Sequence, residues 1–348
     1  MQNRGWSRLP AGLVLAGAAL VAAVLAACGG PIASPSIGPS EIATVAPSTG
    51  GSLEPTPLPE PTPQPLPSGH PAQAQFVIGT QPCAVASDGT LVWITDLRRN
   101  KIVVIDPARN LVVGSLATTS SPCAIAHLGG ALFVSEGSVK FLYKRDAFTG
   151  EELAEPLLGA GRIWDVDVGA DSIWFSERDN GRAVRVDPAT NTAVARLEVG
   201  APASGIAVTD TAVWVAAEGA DALVRIDPST NAEVARVATG DGPIWVAADA
   251  RAAFVTHTDG SLARVDAGSN QLAWSVTLGG LPGEPALAAG SLWVPNHDGG
   301  TLSRIDPEDG TVQAVLDIHP GLAVTHEALG DLWVLGYTDG LAWRVSPS

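Results

Sequence analysis

The 348-residue chain has few cysteines and few basic residues: three Cys, and 20 Lys and Arg against 36 Asp and Glu. Its formal charge of −16 at pH 7 argues against a polyanionic partner such as nucleic acid. Removing residues 1–27, which hold two arginines and no acid, takes −16 to −18. No Cys/His spacing of the zinc type is present, and no nucleophile elbow, phosphate-binding loop or dinucleotide fingerprint appears. The apolar run from Leu13 to Ala27 is short for a membrane span, and residues 29–73 contain no aromatic side chain.

What is present is a repeat. Residues 205–240 read as four short β-rich runs separated by turn signals, and the unit recurs. Bulky aromatics of the second run fall at Trp93, Phe133, Trp174, Trp214, Phe254, Trp293 and Trp333, spaced by 40, 41, 40, 40, 39 and 40 residues. The third runs end at Asp106, Asp146, Asp187, Asp227, Asp266, Asp306 and Ser346, which confirms the register. A four-stranded unit cannot bury its own faces, and a period near 40 is that of radial blades covering one another. The expected fold is all-β: a seven-bladed β-propeller of four-stranded antiparallel blades over residues 74–348. The last repeat lacks a fourth strand and residues 74–78 form a lone one, so the N-terminal strand is expected to complete blade 7 and close the ring. The apolar fraction of 46% fits strands buried on both faces.

Ahead of the repeats, Arg4 and Arg8 precede the apolar run, which ends at Leu25-Ala26-Ala27-Cys28. This tetrapeptide resembles the bacterial lipobox, which implies a signal peptide over 1–27, lipidation of Cys28 and attachment to a membrane outside the cytoplasm. Residues 28–73 then read as a Pro/Ser/Thr-rich tether, with alternating prolines from 55 to 67 favouring polyproline II. Cys83 and Cys123 hold the same place in neighbouring repeats and either form a disulfide or remain two buried thiols.

Propellers usually present ligands on the face made by the loops between strands two and three and the loops leading into the inner strands. On that face the register puts Asp96, Glu136, Glu177, His257 and Asn296, with Glu218 and His297 beside them, and Trp164, Asp165, Trp245, Glu284, His326 and Glu327 at the inner strands. Trp164 and Trp245 lie outside the aromatic register; they either stack on a flat or cyclic ligand or plug the channel. The aspartates ending the third strands read as turn acceptors for backbone N–H groups.

The segments Ile226-Asp227-Pro228-Ser229-Thr230-Asn231-Ala232-Glu233-Val234 and Val186-Asp187-Pro188-Ala189-Thr190-Asn191-Thr192-Ala193-Val194 resemble the YVTN-type propeller repeat. Trp174-Phe175-Ser176-Glu177 with Arg185-Val186 resembles the repeat of streptogramin (virginiamycin B) lyases. The lyase resemblance implies opening of a cyclic ester by elimination, with His257, His297 or His326 carrying protons. A divalent cation such as magnesium would be held by Glu177, Glu218 or Glu284. The reading placed first is a membrane-tethered binding scaffold of the cell envelope for a peptide, glycan, protein or small molecule, with no catalysis. A third reading is an envelope-assembly scaffold similar to the lipoprotein propellers of outer-membrane assembly.

Overall fold

In the computed structural model, residues 66–137, 140–200 and 202–348 are described. The expected signal peptide, Cys28 and most of the expected tether lie outside them. Seven four-stranded antiparallel sheets form the ring, six of them running from inner to outer strand in chain order. Blade 1, for example, consists of Pro82–Ser87, Val92–Asp96, Lys101–Asp106 and Leu111–Ala117. Blade 7 takes its outer strand from Ala72–Val77, which pairs antiparallel with Leu341–Val345 and so joins the two ends of the domain. That strand starts two residues before the expected boundary.

Local chemistry makes the turns. The aspartates after the third strands accept N–H groups from two or three residues on, as in Ala189 to Asp187 at 2.8 Å and Ser229 to Asp227 at 2.7 Å. Asn110, Asn191, Asn231 and Asn270 then take φ of 51° to 57°, while Gly150 and Gly310 take 75° and 77° at the same step of blades 2 and 6.

The blades hold together through apolar faces and a repeated polar clamp. All seven second-strand aromatics are buried, and clusters such as Phe76, Val85, Ile94, Trp333 and Leu335 span adjacent blades. Arg185 reaches the next blade's turn at Pro228 O (2.6 Å) and Asn231 Oδ1 (3.1 Å). Arg225 does the same to Ala267 O and Asn270 Oδ1. Arg344 of blade 7 reaches Pro107 O and Asn110 Oδ1 of blade 1, so the clamp also closes the ring.

Blade 2 departs from the pattern. Its outer strand is only Leu157–Leu158, and Asn191 of blade 3 fills in by donating its side-chain amide to Leu142 O and Glu155 O at 3.1 and 3.0 Å. Asn191→Ala should cost about 2–3 kcal/mol, from two lost hydrogen bonds and an alanine forced to positive φ. Asn191→Gly, which keeps the backbone free, should cost less. A denaturant titration of both variants checks the order.

Candidate functional site

Four of the side chains expected on an open face are buried beneath it instead, and a fifth is partly covered. Asp96, Glu136, Glu177 and His257 have no exposed surface, and Asn296 is half-buried. Each fastens the loop arriving from the preceding blade. Asp96 accepts from Thr80 Oγ1 at 3.2 Å, Glu136 from Thr119 N at 2.7 Å, and Glu177 from Ala160 N at 2.8 Å. His257 Nε2 meets Thr239 Oγ1 at 3.1 Å, and Asn296 donates to Gly279 O at 2.7 Å. In these five blades the position lies where the incoming loop crosses over, so its polar group satisfies loop groups, backbone among them, that would otherwise be orphaned; blades 4 and 7 have Ala217 and Gly336 there.

The centre of this upper face is closed. Trp164 and Trp245 stack with centroids 5.6 Å apart. Arg178 lies 4.5 Å over the Trp164 ring and is held by Glu218 at 2.6 Å, while Ser204 bonds both. Gly205 permits this packing, because a Cβ there would stand 2.8 Å from the Trp245 Cα. A disulfide joins Cys83 and Cys123 across blades 1 and 2, with Cα atoms 5.1 Å apart. Of the two roles open to the tryptophans, the structure assembles the plug. His297 sits beside it, lining a small apolar notch with Trp245, Leu281 and Pro282.

Below the plug runs a channel of about 300 Å³ between the inner strands. Its lining continues to Ser87, Val208, Ala248 and Glu327 at the far ends of those strands, so it leads toward the opposite, lower face. The channel wall is mostly small: the residue paired with the blade aromatic is Ala86, Ala126, Ala207, Ala247 and Ala286 in five blades. Asp167 and His326 take that place in blades 3 and 7. His326 and Glu327 therefore stand toward the lower end, not at the upper face where the linear register put them.

Asp165 and Asp167 stitch blade 3 to blade 4. Asp165 accepts from Val166 N and from Ile206 N of the next blade, both at 2.9 Å. Asp167 accepts from Val168 N and Val208 N, both at 2.7 Å. Burial pushes Asp165 up to about 7, with the Ile206 N–H opposing and the Asp167 charge adding. Burial likewise lifts Asp167 to about 6. Glu284 is raised well above the ordinary range by burial and by the charges of Asp165 and Asp167. Its own backbone pairs in parallel with Val324 of blade 7. Burial lowers His326 to about 4, which keeps the ring neutral. A protonated carboxyl donates as well as accepts hydrogen bonds and an ionised one attracts cations, so carboxyls that titrate near neutrality suit the channel to a small polar or cationic guest.

The residues nominated for lyase chemistry are not brought together. His257 is sealed inside blade 5, where burial lowers its pKa; His297 lies at the upper notch and His326 in the channel. Glu177 fastens a loop, Glu218 pairs with Arg178, and Glu284 lines the channel. Among the described residues no group of three or more His, Cys, Asp or Glu side chains is placed to hold a metal ion. Linear reading missed Asp167 and Arg178. Asp167 was detectable as an acid at a position that is alanine in five blades; Arg178 carried no comparable signal.

Residues 179–314 and 220–340 match the family described as outer membrane protein assembly factor BamB. These matches overlap and span blades 3 to 7. No curated protein matches the chain. Among solved structures, BamB from Moraxella catarrhalis is similar at 17% identity and a TM-score of 0.59, covering 76% of this chain and 83% of that one. A chain of a mitotic checkpoint complex is similar at 13% identity and a TM-score of 0.70, covering 89% and 99%. A chain of Kuenenia stuttgartiensis hydrazine synthase reaches 0.70 at 11% identity, covering 77% and 96%. At such identities the likeness to these structures is one of fold.

Proposed function

We propose that the protein is a lipid-anchored scaffold of the bacterial cell envelope that binds other proteins during assembly of envelope components. The observation that carries this reading is the match of blades 3 to 7 to the BamB family. It moves the weight from the general ligand-capture reading to the assembly reading. The rigid disc, clamped blade to blade by Arg185, Arg225 and Arg344, suits presentation of fixed surfaces to a partner. The lipobox at Cys28 and the proline-rich stretch after it fit attachment at the membrane with the propeller held away from it.

A strain lacking the protein provides the test. Loss of an assembly scaffold should lower the folded amount of outer-membrane β-barrel proteins several-fold, with recovery on re-expression. Unchanged levels would remove this reading. Relocation of a Cys28→Ser form from membrane to soluble fraction checks the anchor separately.

A further inference from the structure

The loops of the upper face are divided by charge. In blades 1 and 2 they carry Arg98, Arg99, Lys101 and Lys140; all but the partly buried Lys101 are exposed. The acids nearest them, Asp96 and Glu136, are wholly buried and turned into the scaffold, so cations are what this side shows to solvent. Blade 3 adds Arg162 and Arg182, each already paired, with Asp179 at 2.8 Å and Glu198 at 2.6 Å. Among the described residues, Arg98, Lys101 and Lys140 have no carboxylate within 4.0 Å, and Arg99 reaches only the buried Asp96, at 4.0 Å.

Blades 4 to 7 are the reverse. Their upper loops expose Asp221, Asp241, Asp259, Asp298 and Asp339, and among the described residues these loops contain no Lys or Arg. The two histidines there, His297 and His319, lie against Asp298 and Asp339 at 3.4 and 2.8 Å. One face thus holds a cationic side and an anionic side, in a chain where acids outnumber bases 36 to 20.

Such a face is complementary to itself. A half-turn about an axis lying in the face, along the border between the two sides, lays the cations of one copy on the acids of the other, and does so twice. A purely acidic or purely basic partner would meet repulsion over half the surface. The geometry points to a second copy of this chain as the occupant: an isologous, face-to-face dimer through the upper loops. This goes beyond the assembly reading and stands without it, because it concerns self-association alone.

Sedimentation velocity on the purified protein tests it. At low salt the mass should approach two chains as concentration rises. It should fall back to one chain near 1 M salt, where the Debye length shrinks from about 10 Å at 0.1 M to about 3 Å. Arg98→Glu/Arg99→Glu/Lys140→Glu reverses the three exposed cations of blades 1 and 2, and Asp241→Lys/Asp259→Lys/Asp298→Lys reverses three acids of the other side. Each variant alone should be monomeric, and an equimolar mixture of the two should recover the dimer. Thermal melts confirm that both remain folded. Wild-type protein that stays monomeric throughout, a variant that dimerises alone, or a mixture that does not recover would each overturn the proposal.

Discussion

Glu136→Ala should destabilise the propeller by about 3–5 kcal/mol, because it leaves a buried guanidinium without its counter-charge. Glu136 takes Arg145 Nε at 2.5 Å and Nη2 at 3.0 Å, and also accepts the Thr119 N–H. The side chains of Arg145 and Glu136 are 5% and 0% exposed, so water cannot replace what is lost. Arg145 would keep Gly150 O and Thr119 Oγ1, together with a longer contact to Glu152. These neutral oxygens and a half-exposed acid at 3.5 Å do not offset the missing bidentate pair. The melting temperature should drop on the order of 10 °C. Glu136→Gln, which keeps one acceptor, should fall between. A loss below about 1 kcal/mol would mean that Glu136 is not a scaffold residue, and would return it to the pool of ligand-facing groups.

The channel carboxyls should make stability depend on pH in the direction opposite to ordinary salt-bridged acids. Asp165 and Asp167 have folded values of about 7 and about 6, above the 3.8 of the unfolded chain. Below about pH 4 they are protonated in both states and cost nothing. As pH rises toward 7 the unfolded chain ionises first, and stability is lost progressively until the folded groups ionise too. His326, lowered to about 4, acts the other way: it destabilises the fold as pH falls from 6.5 toward 4. The two contributions overlap, so the informative quantity is the difference between wild type and Asp165→Asn/Asp167→Asn. That difference should grow in favour of the variant from pH 4 and level off above pH 7. Because each carboxyl retains some contact with channel solvent, it should reach only about 2–3 kcal/mol. Urea titrations at pH 4, 6 and 8 measure it. A variant less stable than wild type at pH 8 would show that the hydrogen bonds to Ile206 and Val208 outweigh the cost of burying charge.

The architecture was legible because each repeat encodes its own strands. Trp93, Trp174 and Trp214 mark buried second strands wherever they stand, and Asp187 or Asp227 builds its turn from groups two and three residues away. Ring closure was legible too: a final repeat one strand short and a spare strand at the start can be reconciled in one way. The candidate site was much less so. Asp96, Glu136 and Glu177 share an offset from the aromatic, and that offset says which end of the blade they occupy. It does not say that Thr80, Thr119 and Ala160, 16 or 17 residues earlier, will lie over them.

The sequence by itself therefore determined the blade count, the strand order, the turns and the joining of the ends, since all of these follow from short-range periodicity and from one count of strands. Only the tertiary structure decided which polar groups meet. Asp165, Glu284 and His326 are some 40 to 160 residues apart in the chain and share one channel because seven inner strands converge on an axis. Trp164 and Trp245 become a plug for the same reason. Burial of a side chain near that axis depends on the distance between blades and on the loops that cross above them, and neither quantity is written in any single repeat.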